Sequence, residues 1–99
     1  MRVNPLASRD DIGQLWENYF IYERYKYLKY NNIHHNLYFW RYRNNQEIDW
    51  VEEINNKLYG YELKWNTRKK YKIPSAWKRA YPNAGFMIVN PDNYLELIE

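Results

Sequence analysis

The chain has 99 residues, room for one hydrophobic core and not for two. Aromatics make up 20% of it, with 12 Tyr and 5 Trp, which excludes a disordered segment despite a mean hydropathy of -0.96. It has no Cys, which excludes disulfides, thiolate zinc sites and Cys nucleophiles, and its net charge of +3 admits a polyanionic partner without demanding one. No apolar run nears the ~20 residues that span a bilayer, and no signal-peptide core follows Met1, so the expected location is the cytoplasm, away from membranes.

Residues 1–9 lack a pattern and read as a leader or the remnant of a preceding segment. Residues 10–99 read as a single domain. Asp10 or Asp11 can cap a helix, and Ile12, Leu15, Trp16, Tyr19 and Phe20 follow at helical spacing. Glu23, Tyr27 and Tyr30 continue the stripe, and Asn31-Asn32 ends the helix near Tyr30. Leu37 to Arg43 is aromatic and strand-like. Asn44-Asn45 is a turn, Glu47 to Ile54 a second strand, Asn55-Asn56 a second turn, and Lys57 to Trp65 a third strand. With only three Gly in the chain, the Asn pairs are the main turn-formers. A basic run follows, then Pro74 opening a short helix from Ser75 to Tyr81. Phe86-Met87-Ile88-Val89 is wholly apolar, the mark of a buried strand. Pro91 and Asp92 open a last helical turn through Leu95 and Ile98. The expected class is α/β in the α+β sense: helix, three-strand meander, helix, strand, short helix.

If Asn55-Asn56 form a two-residue turn, Ile54 faces Lys57 and the ladder above it is fixed. Trp50 then meets Tyr61, Asp49 meets Glu62, and Glu47 meets Lys64. Alternation puts Asp49, Glu62 and Lys64 on one face, and Ile48, Trp50, Tyr61 and Leu63 on the core face. Two opposed carboxylates with Cβ atoms about 5 Å apart repel by roughly 3 kcal/mol at an effective dielectric near 20, more than a cross-strand pair contributes. Water, Lys64 or a divalent cation can relieve that repulsion. Mg²⁺ suits two carboxylates, because it keeps waters that a phosphate can displace. Charge-rich hairpins also simply face solvent.

Gln46-Glu47-Ile48-Asp49, a hairpin, then Tyr61-Glu62-Leu63-Lys64 resembles the PD-(D/E)XK nuclease superfamily. Glu17, within Gly13-Gln14-Leu15-Trp16-Glu17-Asn18, fits the glutamate that the superfamily usually carries on its first helix. With Tyr38-Phe39-Trp40-Arg41 and Ala80-Tyr81-Pro82, these blocks resemble the nuclease-like C-terminal domain of archaeal and bacterial AAA-type ATPases, from about residue 10 to the end. The sequence departs from the superfamily name at Ile48, where Pro would stand. The resemblance implies a restriction-endonuclease-like core and hydrolysis of phosphodiester bonds in nucleic acid, DNA first. It implies Asp49 and Glu62 as ligands of Mg²⁺ or Mn²⁺, with the Leu63 carbonyl beside them. Glu17 would complete the acidic pocket, and Lys64 would position the attacking water. It further implies an ATPase region in a longer chain as partner, and it allows a homodimer.

Other features have two readings each. Arg68, Lys69, Lys70 and Lys72 follow a phosphate backbone or form a solvated loop. Arg41 and Arg43 contact phosphates or protect a sheet edge from aggregation. His34 and His35 point apart on regular structure, so a zinc site is not expected. The Tyr and Trp stripes read as core and interface before base-stacking platforms. The competing function is a catalytically silent nuclease-like module that binds nucleic acid or protein beside an ATPase.

Overall fold

The structure, a computed structural model, describes residues 9–43, 46–67 and 71–99. The leader expected over 1–9 (save Arg9, which belongs to the first helix), the Asn44-Asn45 turn, and Arg68, Lys69 and Lys70 lie outside the described residues.

Helix α1 spans Arg9–Tyr30. It buries Trp16, Phe20, Arg24 and Leu28, each four residues after the last, which form one ridge. The expected stripe runs differently: Leu15, Tyr19 and Tyr30 are exposed. Beyond Phe20 the ridge is hidden in the sequence by Arg24, a charge standing where the pattern calls for an apolar side chain. Asn32 ends the helix in the left-handed region at φ 55°. The Ile33 amide donates to the Leu28 carbonyl at 2.9 Å and the Asn32 amide to that of Lys29 at 3.1 Å, a Schellman closure with Asn in place of Gly.

Four strands form one sheet in the order β1-β2-β3-β4: β1 Asn36–Tyr42, β2 Gln46–Ile54, β3 Lys57–Leu63 and β4 Gly85–Val89. The first three make an antiparallel meander, and β4 lies parallel to β3 after a crossover through α2, Ser75–Ala80. Asn55 and Asn56 have φ of 53° and 65°, the two-residue turn in which both central residues are left-handed. That turn sets the register expected from the sequence, Ile54 opposite Lys57 and Trp50 opposite Tyr61.

Two strand readings need correction. β3 ends at Leu63, two residues short of Trp65. β4 is an edge strand: Val89 is buried, and Gly85 to Ile88 are only half-buried. The last helical turn is a 3-10 turn, Tyr94–Leu97.

Three layers result. On one side of the sheet, Trp16 and Phe20 of α1 pack with Tyr61, Leu63 and Val89, and Tyr94, Leu97 and Ile98 of the C-terminal segment close the same cluster. On the other, Trp77 of α2 packs with Ile48 and Val51. Ile48 was expected in the cluster with Trp50, Tyr61 and Leu63. A bulge moves it. Between the pairs Trp40–Ile48 and Tyr38–Val51 the ladder advances two residues on β1 and three on β2, so β2 holds one extra residue around Asp49 and Trp50. Ile48 and Val51 therefore share the α2 face. Trp50 turns to α1, where its indole N–H donates to Oε2 of Glu52 at 2.8 Å.

Glu52 is fully buried. Arg24 satisfies it with a fork: Nε donates to Oε2 at 2.9 Å and Nη2 to Oε1 at 3.0 Å. The third arm, Nη1, donates to the Leu97 carbonyl at 2.7 Å, and the guanidinium lies over the rings of Tyr27 and Tyr61. One side chain thus ties α1, β2 and the C-terminal turn together. No helix of the described residues is long and apolar enough to cross a membrane.

Candidate active site

The carboxylates singled out from the sequence meet at one end of the sheet. Glu17 arrives from α1, Asp49 from the bulge of β2, and Glu62 and Leu63 from the end of β3, with Lys64 just beyond it. All five line one cavity of about 510 Å³, together with Gly13 and Gln14 of α1 and Glu47 of β2. The ladder of β2 and β3 ends at the Trp50–Tyr61 pair, so the expected pairing of Asp49 with Glu62 is not among its pairs, and the two meet as lining of the cavity instead. The bulge matters here, because an extra residue in β2 re-aims the side chains beside it.

The expected repulsion is present and partly relieved. Lys64 Nζ lies 3.2 Å from Oε1 of Glu62, and Asp49 opens to solvent. Glu47 was expected opposite Lys64. It pairs instead with Arg41, directly across β1, at 3.3 Å. The reason is that the ladder of β2 and β3 runs only from Ile54–Lys57 to Trp50–Tyr61, while β1 stays paired with β2 as far as Gln46.

Burial, then the charges of Asp49 and Glu62, raises the pKa of Glu17, with Lys64 opposing. Burial also raises that of Glu62. Lys64 counters it by charge and hydrogen bond, Asp49 adds to the rise, and a hydrogen bond from Tyr71 lowers it. Asp49 is thus close enough to Glu17 and Glu62 for its charge to oppose their ionisation.

Tyr71 is the site residue that sequence reasoning missed. Its hydroxyl donates to the Glu47 carbonyl at 3.4 Å, its ring carries Lys64 Nζ at 5.1 Å, and it stacks on Phe86. Burial, followed by the charge of Glu62, pushes its phenol up to about 12. The available signal was a lone aromatic inside a basic run, which does not reveal that Tyr71 meets Glu47 of β2 and Phe86 of β4.

The remaining candidates spread out. Arg41 is exposed and reaches the cavity only through Glu47. Arg43 lies over Tyr42, and Lys72 is exposed; neither lines the cavity. His34 and His35 line a separate cavity at the other end of α1 with Tyr25 and Lys29.

Oxygen donors from three carboxylates and a backbone carbonyl are chemically suited to a hard divalent cation. Among the described residues, no three His, Asp or Glu side chains gather closely enough to hold one as they stand. Glu62 is paired with Lys64 instead.

The fold is a mixed α+β domain with a four-stranded sheet and an acidic cavity at its edge. The chain belongs to the family described as Domain of unknown function (DUF4143), which it matches over residues 12–98. No curated protein and no solved structure matches it.

Proposed function

We propose that this is a divalent-metal-dependent nuclease domain of the PD-(D/E)XK type, with a restriction-endonuclease-like core, hydrolysing phosphodiester bonds in nucleic acid, DNA first. One observation carries the reading: Glu17, Asp49, Glu62 and Lys64, from three separate elements, line one cavity. Asp49, Glu62 and Glu17 are the residues that would hold Mg²⁺ or Mn²⁺, with the Leu63 carbonyl beside them. When bound, such a cation polarises a phosphoryl oxygen and lowers the pKa of bound water. Lys64 supplies the positive charge that orients a phosphate and the attacking water. Glu17, whose pKa is raised by burial and then by Asp49 and Glu62, lines the same cavity. Arg41 at the rim, and Arg43, Lys72 and the basic run before Tyr71, supply the charge that a polyanionic strand needs.

The test is cleavage of single-stranded, duplex and branched DNA with and without Mn²⁺. Metal-dependent cutting that Asp49→Ala and Lys64→Ala abolish supports the reading. Cutting that survives Lys64→Ala unchanged, or none on any substrate, sinks it.

A second reading is a silent module of the same fold that docks beside an ATPase region. It is favoured by the tie between Glu62 and Lys64 and by the exposed rings of Tyr38, Phe39 and Tyr42 on the edge strand β1. Calorimetry separates the two: Mn²⁺ binding lost in Asp49→Ala supports the nuclease, and no heat in the parent supports the module.

A further inference from the structure

Another cavity, of about 300 Å³, lies across the sheet from the acidic one, on the face that α2 covers. Tyr38, Phe39, Trp40, Trp77 and Tyr81 line it with the carboxylate of Glu53. Three of the rings are set as walls rather than as a stack. Trp40 stands at 78° to Trp77 with centroids 5.5 Å apart, and Tyr81 stands at 58° to it with centroids 4.9 Å apart. Trp77 is buried, while Tyr38 and Tyr81 are 49% and 39% exposed, so the walls open to solvent. Asn36 Nδ2 and the Tyr38 hydroxyl both donate to Oε1 of Glu53, at 3.0 and 3.1 Å, and hold the carboxylate in place. Both donors are neutral, and no ion pair among the described residues includes Glu53.

We propose that this cavity binds a small organic cation, a solute carrying a quaternary ammonium group. Ring faces hold the negative part of the aromatic quadrupole and attract a cation within about 6 Å of their centroids. Glu53 adds a carboxylate to the same space. An anion is repelled by that carboxylate, and a neutral apolar guest would cover it without supplying a counter-charge. A hydrated metal ion needs several oxygen ligands and finds one carboxylate among rings. An unmethylated ammonium brings three N–H donors to that single carboxylate. A quaternary ammonium needs no acceptor. Its methyl groups pack on the rings, and its charge meets both the ring faces and Glu53. The site stands apart from the nuclease reading, whose cavity is lined from α1.

The experiment titrates the whole 99-residue chain with choline chloride and follows the indole ¹H–¹⁵N resonances. The signals of Trp40 and Trp77 should move and saturate, and that of Trp16, in the cluster on the α1 side, should stay. Sodium chloride at equal ionic strength should move neither. Neohexyl alcohol is choline with a tert-butyl group in place of trimethylammonium, the same shape without the charge, and it should bind roughly tenfold more weakly. Glu53→Gln keeps an acceptor for Asn36 and Tyr38 and removes the charge, and it should weaken choline roughly fivefold. Tyr81→Leu keeps an apolar wall and removes a ring face, and it should weaken choline about threefold. Dispersed indole signals report that each variant is folded. Equal binding of neohexyl alcohol, or unchanged choline affinity in Glu53→Gln, reduces the cavity to an apolar cleft and overturns the proposal. No saturable movement of Trp77 with choline overturns it as well.

Discussion

Lys64 holds Glu62, two residues back along the same chain, with Nζ 3.2 Å from Oε1, while Glu47 is taken by Arg41 at 3.3 Å. The choice of partner sets the charge state of the cavity. Lys64 is the strongest influence keeping Glu62 ionised against its burial. Lys64→Met should therefore move the Glu62 carboxyl further up from its ordinary value of 4.5. Carboxyl ¹³C titration of parent and variant measures this directly. A Glu62 midpoint that stays put or falls in Lys64→Met would show that the contact is incidental.

Glu17 gives a stability prediction with a definite sign. Its folded-state pKa is raised by burial and then by Asp49 and Glu62. Above that pKa the folded protein carries an ionised group that the unfolded chain tolerates better. As pH falls through the folded pKa toward 4.5, the folded state takes up a proton first and gains stability, and below 4.5 the gain is complete. Glu17→Gln removes the penalty at its source. Urea unfolding should find the variant more stable than the parent at pH 7.5, with the difference shrinking by pH 4.5. A variant less stable at pH 7.5 would mean that Glu17 is held by favourable contacts instead.

What the sequence made legible is local. Turn chemistry at Asn55-Asn56 and alternation along two strands suffice to bring Asp49 and Glu62 to one end of the sheet, because a two-residue turn leaves no freedom of register. Glu17 needed the resemblance, since nothing in helical periodicity says which exposed polar residue of α1 will overhang the sheet. The bulge was hidden because it arises from pairing with β1, where three residues of β2 face two. Tyr71 was hidden for a similar reason: Glu47, Glu62, Lys64 and Phe86 converge on it only after the crossover to β4 is made. Arg24 misled the helix reading, because a charge scores as surface until a partner 28 residues away is known to be buried beneath it.

That pair yields the largest stability effect. Arg24→Met deletes both arms of the fork and leaves the Glu52 carboxylate fully buried with, among the described residues, the Trp50 indole as its remaining hydrogen-bond partner. Breaking a buried pair from one side costs about 3–5 kcal/mol. Replacing Glu52 as well, in Arg24→Met with Glu52→Leu, removes the stranded charge and should recover most of that loss, short of the Trp50 and Leu97 contacts. Denaturant unfolding of both variants decides it. A double variant no more stable than Arg24→Met would show that the cost lies in packing and not in the uncompensated charge.

Gly60 closes the sheet against α2. A Cβ placed on it would stand 3.2 Å from Cζ2 of Trp77, 3.3 Å from Cδ1 of Ile48 and 3.3 Å from Cδ2 of Phe86. The first two belong to the buried cluster between sheet and α2, and the third packs on it. Ile48 Cδ1 ends a fully buried side chain, and the other two atoms belong to rigid rings, so relief requires the indole and the Phe86 ring to give way. Overpacking of this kind costs about 1–3 kcal/mol. Phe86 is also the ring on which Tyr71 stacks, 6.0 Å away. Gly60→Ala should therefore act twice, lowering the unfolding midpoint and disturbing the Tyr71 seat at the acidic cavity, whereas Gly13→Ala, whose added methyl would meet only Trp65 Cβ at an ordinary 3.8 Å, should not lower the midpoint. Thermal unfolding compares the two glycines, and the Tyr71 ring resonance reads the second effect. A Gly60→Ala protein with an unshifted midpoint would mean that the Trp77 face is looser than its contacts imply, and that the cavity is insulated from the core beneath it.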